Sequence, residues 1–69
     1  MKIQIMLQVR YGHDAPEAPE GYRREQAGVC WEYATDSAPD WDSAKATGKW
    51  LSEQSGVYNV EVYNVDKWQ

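Results

Sequence analysis

The sequence predicts one small α+β domain, with the order β-β-α-β. A single helix, near residues 41–55, covers one face of a three-stranded, mainly antiparallel sheet of order 2-1-3. Three observations carry that prediction. Residues 2–11, KIQIMLQVRY, alternate polar and apolar. Residues 41–55 place small and apolar side chains at helical spacing behind an aspartate. Residues 57–65, VYNVEVYNV, return to the two-residue period of a strand.

In the first strand Ile3, Ile5, Leu7, Val9 and Tyr11 point one way, and Lys2, Gln4, Met6, Gln8 and Arg10 the other. This is the most regular strand, so it belongs in the middle. Residues 12–27 form a long connection punctuated by Gly12, Pro16, Pro19 and Gly21. Its Ala-Pro-Glu-Ala-Pro-Glu segment favours extended backbone. The end of this stretch, Tyr22 to Gln26, reads alternatively as the start of the next strand. The second strand is assigned to residues 28–35, GVCWEYAT. Val29, Trp31, Tyr33 and Thr35 share one side; Cys30, Glu32 and Ala34 share the other. Both sides are partly apolar, and the pattern leaves their facing open.

The helix begins after Pro39, with Asp40 as N-cap and Asp42 beside the positive N-terminus. Ala44, Gly48, Leu51 and Ser55 form a narrow buried stripe, with Trp41 and Thr47 at its edges. Glycine costs about 1 kcal/mol relative to alanine inside a helix, so Gly48 implies a close approach to the sheet. Gly56 is placed as the residue that ends the helix. In the third strand Tyr58, Val60 and Val62 oppose Val57, Asn59, Glu61, Tyr63 and Val65. A right-handed crossover makes this strand parallel to the second, with the first strand between them.

The chain has 69 residues, a single domain with the long loop at 12–27, and a thin core. Its one cysteine, Cys30, excludes an internal disulfide, and its one histidine, His13, excludes a zinc cluster of the usual kind. Four Trp, five Tyr and no Phe favour an interface, because each such ring carries a polar handle. The net charge of −4 argues against phosphate-backbone binding, so nucleic acid is disfavoured as a partner. No apolar run approaches a membrane span, and residues 1–4 do not read as a signal peptide. The expectation is therefore no membrane and a cytoplasmic protein. No glycine spacing matches a phosphate loop, and Asp40 and Asp42 do not continue into a calcium loop. No cofactor, metal or catalytic residue is assigned; His13 with Asp14 reads as a surface turn, and Cys30 as a small buried residue.

One helix leaves one sheet face uncovered. That face is expected to carry Met6, Tyr63 and either Trp31 or Tyr33, and an exposed patch of that kind marks a binding surface. Trp50 and Trp68 are further anchor candidates. Asp36 and Asp40, within an acidic run from Glu32 to Asp42, would steer toward a basic partner. The expected partner-binding set is Trp31, Tyr33, Tyr63, Trp50, Met6, Asp36 and Asp40.

The chain as a whole, a short acidic reading frame starting at Met1 with DWDSAKATGKWLSEQSGVYNVEV feeding a helix directly into an edge strand, resembles compact phage-encoded accessory proteins of the anti-CRISPR type. These proteins share no common motif, so no residue carries over. The resemblance implies a non-enzymatic protein that binds and blocks a host protein. The alternatives are a homodimeric accessory protein, a small ligand-binding protein or enzyme, and a nucleic-acid binder.

Overall fold

The computed structural model describes residues 1–68, with side chains through Asp66. Among these the element order is β1 (Ile3–Val9), β2 (Arg23–Ala27), β3 (Cys30–Thr35), α1 (Trp41–Ser52) and β4 (Val57–Asn64). A short 3-10 turn, Val65–Trp68, follows. The architecture is α+β, with one helix on an antiparallel sheet. The sheet has four strands, in the order β2-β3-β1-β4, where the sequence pattern had indicated three. The extra strand comes from the stretch assigned to the 12–27 loop. Its residues, Arg23 to Ala27, are all exposed, so no apolar alternation announces it. A tight turn at Gly28–Val29, with Gly28 at φ 63°, joins it to β3.

The central position of β1 holds. It pairs antiparallel with β3 on one side and with β4 on the other, so β3 and β4 run parallel without touching. Between Gln8 and Val9 the register with β4 slips by one residue. This bulge turns Val57 onto the core and leaves Tyr58 exposed, with the Arg10 guanidinium 5.6 Å from its ring centre.

The helix forms as its sequence dictates. Asp40 Oδ1 accepts a hydrogen bond from Ser43 N at 2.7 Å, which caps the N-terminus. Ala44, Gly48 and Leu51 are buried. The helix stops at Ser52, three residues earlier than the spacing suggested, with Glu53 as its cap. Ser55 therefore leaves the buried stripe. Gly56, at φ 84°, instead closes the turn into β4, and its Cα lies against the His13 ring.

Helix α1 packs chiefly on β4, and Gly48 allows that approach, since a Cβ there would run into Val62 Cγ2. The β3 side of the same sheet face is covered differently. The connection after β1 folds back over it, burying Ala15 and placing Pro16 above Tyr33. The Tyr33 hydroxyl donates to Pro16 O at 2.5 Å. Arg24 Nη1 donates to Ala15 O at 3.0 Å and Pro16 O at 3.1 Å, while its guanidinium lies 5.0 Å from the Trp31 ring centre. The segment is thus a second cover for the core, held by its own carbonyls. The core consists of Ile3, Ile5, Leu7, Tyr33, Ala38, Ala44 and Leu51.

Candidate functional site

Strand register decides what the uncovered sheet face carries. Ile3, Ile5 and Leu7 are buried, and their partners in β3 are Thr35, Tyr33 and Trp31. Those three therefore lie on the covered side. Tyr33 is 0% exposed and is the largest fully buried side chain. It cannot meet a partner, and its place in the expected binding set is corrected to the core. Trp31 is half-buried on the same side, against Arg24. The reason is alternation: both sides of β3 contain apolar residues, and only pairing with β1 chooses between them.

The open face is built in cross-strand rows. One row, read from β2 to β4, is Arg23, Ala34, Gln4, Tyr63. The next is Glu25, Glu32, Met6, Glu61. The last holds Ala27 and Cys30 beside Gln8 and Asn59. Strands lie about 4.8 Å apart, so Glu25 and Glu61 mark the ends of a row about 14 Å wide. Three carboxylates share that row, with a thioether among them and no cation. Glu25 directly opposes Glu32, an arrangement that costs stability in a sheet.

Neutral polar groups support the row. Gln4 Nε2 donates to Glu32 Oε1 and lies 3.7 Å from Met6 Sδ. The Tyr63 hydroxyl donates to Glu61 Oε2. That hydrogen bond, followed by partial burial and the Glu61 charge, holds the Tyr63 phenol above its ordinary value, so it stays a neutral donor. Gln8 Nε2 lies 3.3 Å from Cys30 Sγ, and Asn59 Nδ2 donates to Gln8 Oε1 at 3.4 Å. Met6, Gln8, Cys30, Asn59, Glu61 and Tyr63 line a shallow concavity of about 260 Å³. Among the described residues no group of three or more His, Cys, Asp or Glu is placed to hold a metal ion, since Met6 separates Glu61 from the other two carboxylates.

The remaining expected residues are dispersed. Met6 and Tyr63 are neighbours on the open face, as expected. Asp36 is exposed at the end of β3 and pairs with Arg23 at 3.6 Å. Asp40 is spent on the helix cap. Trp50 is 47% exposed, but on the helix, on the opposite side of the sheet from Met6. The side chain of Trp68 lies outside the described residues. Among the described residues no continuous aromatic patch is assembled. The structure assembles an acidic, amide-lined face; alternation had set Glu61 on the side of Tyr63, but Glu25 carried no signal in the sequence. Glu25 acquires meaning only once β2 exists.

A stability prediction follows from the row. Glu25→Lys replaces a like-charge pair by an opposite-charge pair with Glu32. It is expected to stabilise the fold by a few tenths of a kcal/mol, read as a raised urea midpoint at low salt that fades at high salt. An unchanged or lowered midpoint would show that Glu25 and Glu32 do not repel.

No helix among the described residues is long and apolar enough to cross a membrane. No protein-family model, curated protein or solved structure matches this chain.

Proposed function

We propose that this protein is a non-enzymatic interaction module whose open sheet face docks on a basic surface of a protein partner. The observation that carries the reading is the row Glu25, Glu32, Met6, Glu61. Natural sheets avoid directly opposed like charges, and retaining them at a cost in stability is what a binding surface requires. The net charge of −4 would speed the encounter with a basic partner. Met6 supplies an apolar seat for the stem of a Lys or Arg side chain, whose head then reaches Glu32 or Glu61. Gln4, Gln8 and Asn59 offer hydrogen bonds around that seat. Binding and blocking a host protein is also the action implied by the likeness to phage-encoded inhibitors.

The test compares the wild type with Glu25→Gln/Glu32→Gln/Glu61→Gln as bait in an extract of the native host. The wild type should retain a protein of basic surface that elutes as salt is raised. The triple variant, with its fold checked by circular dichroism, should lose most of that retention. Equal retention by both baits would sink the proposal. Light scattering on the free protein addresses the homodimer alternative, which requires a mass of twice the chain.

A further inference from the structure

The two edges of the sheet are not equivalent. The β2 edge is five residues long and charged, RREQA, and Arg24 ties it to the loop above. Short charged edges resist pairing with other chains. The β4 edge is eight residues, VYNVEVYN, without Pro or Lys. Just after the strand, Asp66 is drawn toward β1, where its Oδ2 accepts from Lys2 N at 2.9 Å.

The direction of the free backbone groups can be read from the ladder. Val65 N donates to Lys2 O at 2.9 Å, and Arg10 N donates to Gly56 O at 2.6 Å. In an antiparallel pair the hydrogen-bonded positions alternate. The register then assigns the backbone groups of Tyr63, Glu61 and Asn59 to β1, and those of Asn64, Val62 and Val60 to the outer edge. The bulge at Tyr58 ends this run on one side, and the 3-10 turn from Val65 ends it on the other. What remains is an edge on which the backbone groups of Val60, Val62 and Asn64 face outward.

We infer that this β4 edge takes up an extended segment of the partner as a fifth strand, with a basic residue opposite Glu61 and apolar residues opposite Val60 and Val62. The inference rests on the proposed acidic docking face. The side chains follow from alternation. A residue opposite Glu61 lies on the open face and extends the row Glu25, Glu32, Met6, Glu61 by a cation. Residues opposite Val60 and Val62 lie on the helix side, against the flank of α1. Main-chain hydrogen bonds supply affinity in this mode, and the alternating side chains supply selectivity. A second copy of this chain fits less well. Its helix also lies over β4, so it would be brought against α1 across the shared edge.

The probe is the peptide acetyl-Thr-Thr-Val-Lys-Val-Thr-amide, titrated into the isotopically labelled full chain and followed by amide hydrogen exchange. The expected result is slowed exchange at Val60, Val62 and Asn64, by several-fold at saturation, with no slowing along Arg23–Ala27. Replacing the peptide lysine by glutamate should weaken binding several-fold. Glu61→Lys should reverse that preference. Free exchange at Val60, Val62 and Asn64 despite shifts at Glu25 and Glu32 would overturn strand addition while leaving the docking face intact. Slowed exchange on both edges, or a free protein already dimeric through β4, would also overturn it. Edge protection that ignores the peptide charge would overturn the choice of a basic segment.

Discussion

Tyr33→Ala is expected to destabilise the chain by about 3–5 kcal/mol, whereas Tyr33→Phe should keep the fold with a loss of about 1 kcal/mol. Tyr33 is 0% exposed at the centre of the sheet, opposite Ile5 and beneath the loop at Pro16. Truncating a buried aromatic to alanine costs about 3–5 kcal/mol. A domain of this size holds about 3–10 kcal/mol in total, so the loss removes about a third or more of it, and all of it at the low end. Tyr33→Phe deletes only the hydroxyl that donates to Pro16 O. That carbonyl keeps the Arg24 Nη1 donor at 3.1 Å, so no acceptor is orphaned, and the cost is about 1 kcal/mol. Urea denaturation followed by tryptophan fluorescence reads both. A folded Tyr33→Ala with less than 1 kcal/mol lost would return Tyr33 to the surface, and with it the aromatic binding face.

The same pair of variants carries a pH signature. Burial raises the Tyr33 phenol above 10.0, with Arg24 pulling in the opposite direction. A raised value means that the folded state holds the proton more tightly than the unfolded chain does. The corresponding stability is fully present below pH 10 and is lost as pH rises through the folded value. The wild type should therefore lose more stability than Tyr33→Phe between pH 9 and pH 11. Parallel losses would mean that the Tyr33 proton is not linked to folding.

Tyr33 also shows where the sequence stops being readable. β1 was legible because its two sides differ, Ile-Ile-Leu-Val against Lys-Gln-Met-Gln. The cap at Asp40 and the stripe Ala44, Gly48, Leu51 were legible because capping and helical period are local properties. The facing of β3 was not, since Trp31 and Cys30 are both apolar neighbours and pairing with β1 alone separates them. β2 was hidden for the same kind of reason. Arg23 to Ala27 bury nothing, and their strand exists because β3 offers them an edge. The acidic row inherits both difficulties. Glu61 lies far from Glu25 and Glu32 in the chain, and the register makes the three one feature. The stretch at 12–27 read only as a long connection with extended backbone, without a place in the fold. Its anchoring uses backbone carbonyls of Ala15 and Pro16, which side-chain patterns do not reveal.

Gly48→Ala is expected to destabilise the protein, and Val62→Ala to convert that loss into a gain. In an isolated helix the substitution would help by about 1 kcal/mol, because alanine is the better helix former. Here the new Cβ runs into Val62 Cγ2, with Val62 Cβ at 3.8 Å and Val60 Cγ1 at 3.9 Å. Valine is stiff at χ1, and Val62 sits in a strand paired to β1, so relief requires the helix to lift off β4. Overpacking of this kind costs about 1–3 kcal/mol, and a methyl-on-methyl collision belongs near the upper end. The net loss in the wild-type background should be about 1–2 kcal/mol. In the Val62→Ala background the colliding methyl is gone, and only the helix-forming gain remains. The same Gly48→Ala substitution should then be neutral or stabilising by up to about 1 kcal/mol. A double-mutant cycle reads this as a favourable coupling of about 2 kcal/mol between positions 48 and 62. Equal losses in both backgrounds would show that the glycine serves something other than the approach to Val62. The sign change matters for the binding reading as well, because the helix pressed onto β4 is what fixes Val60 and Val62 inward. Glu61 and Tyr63 are then left on the open face.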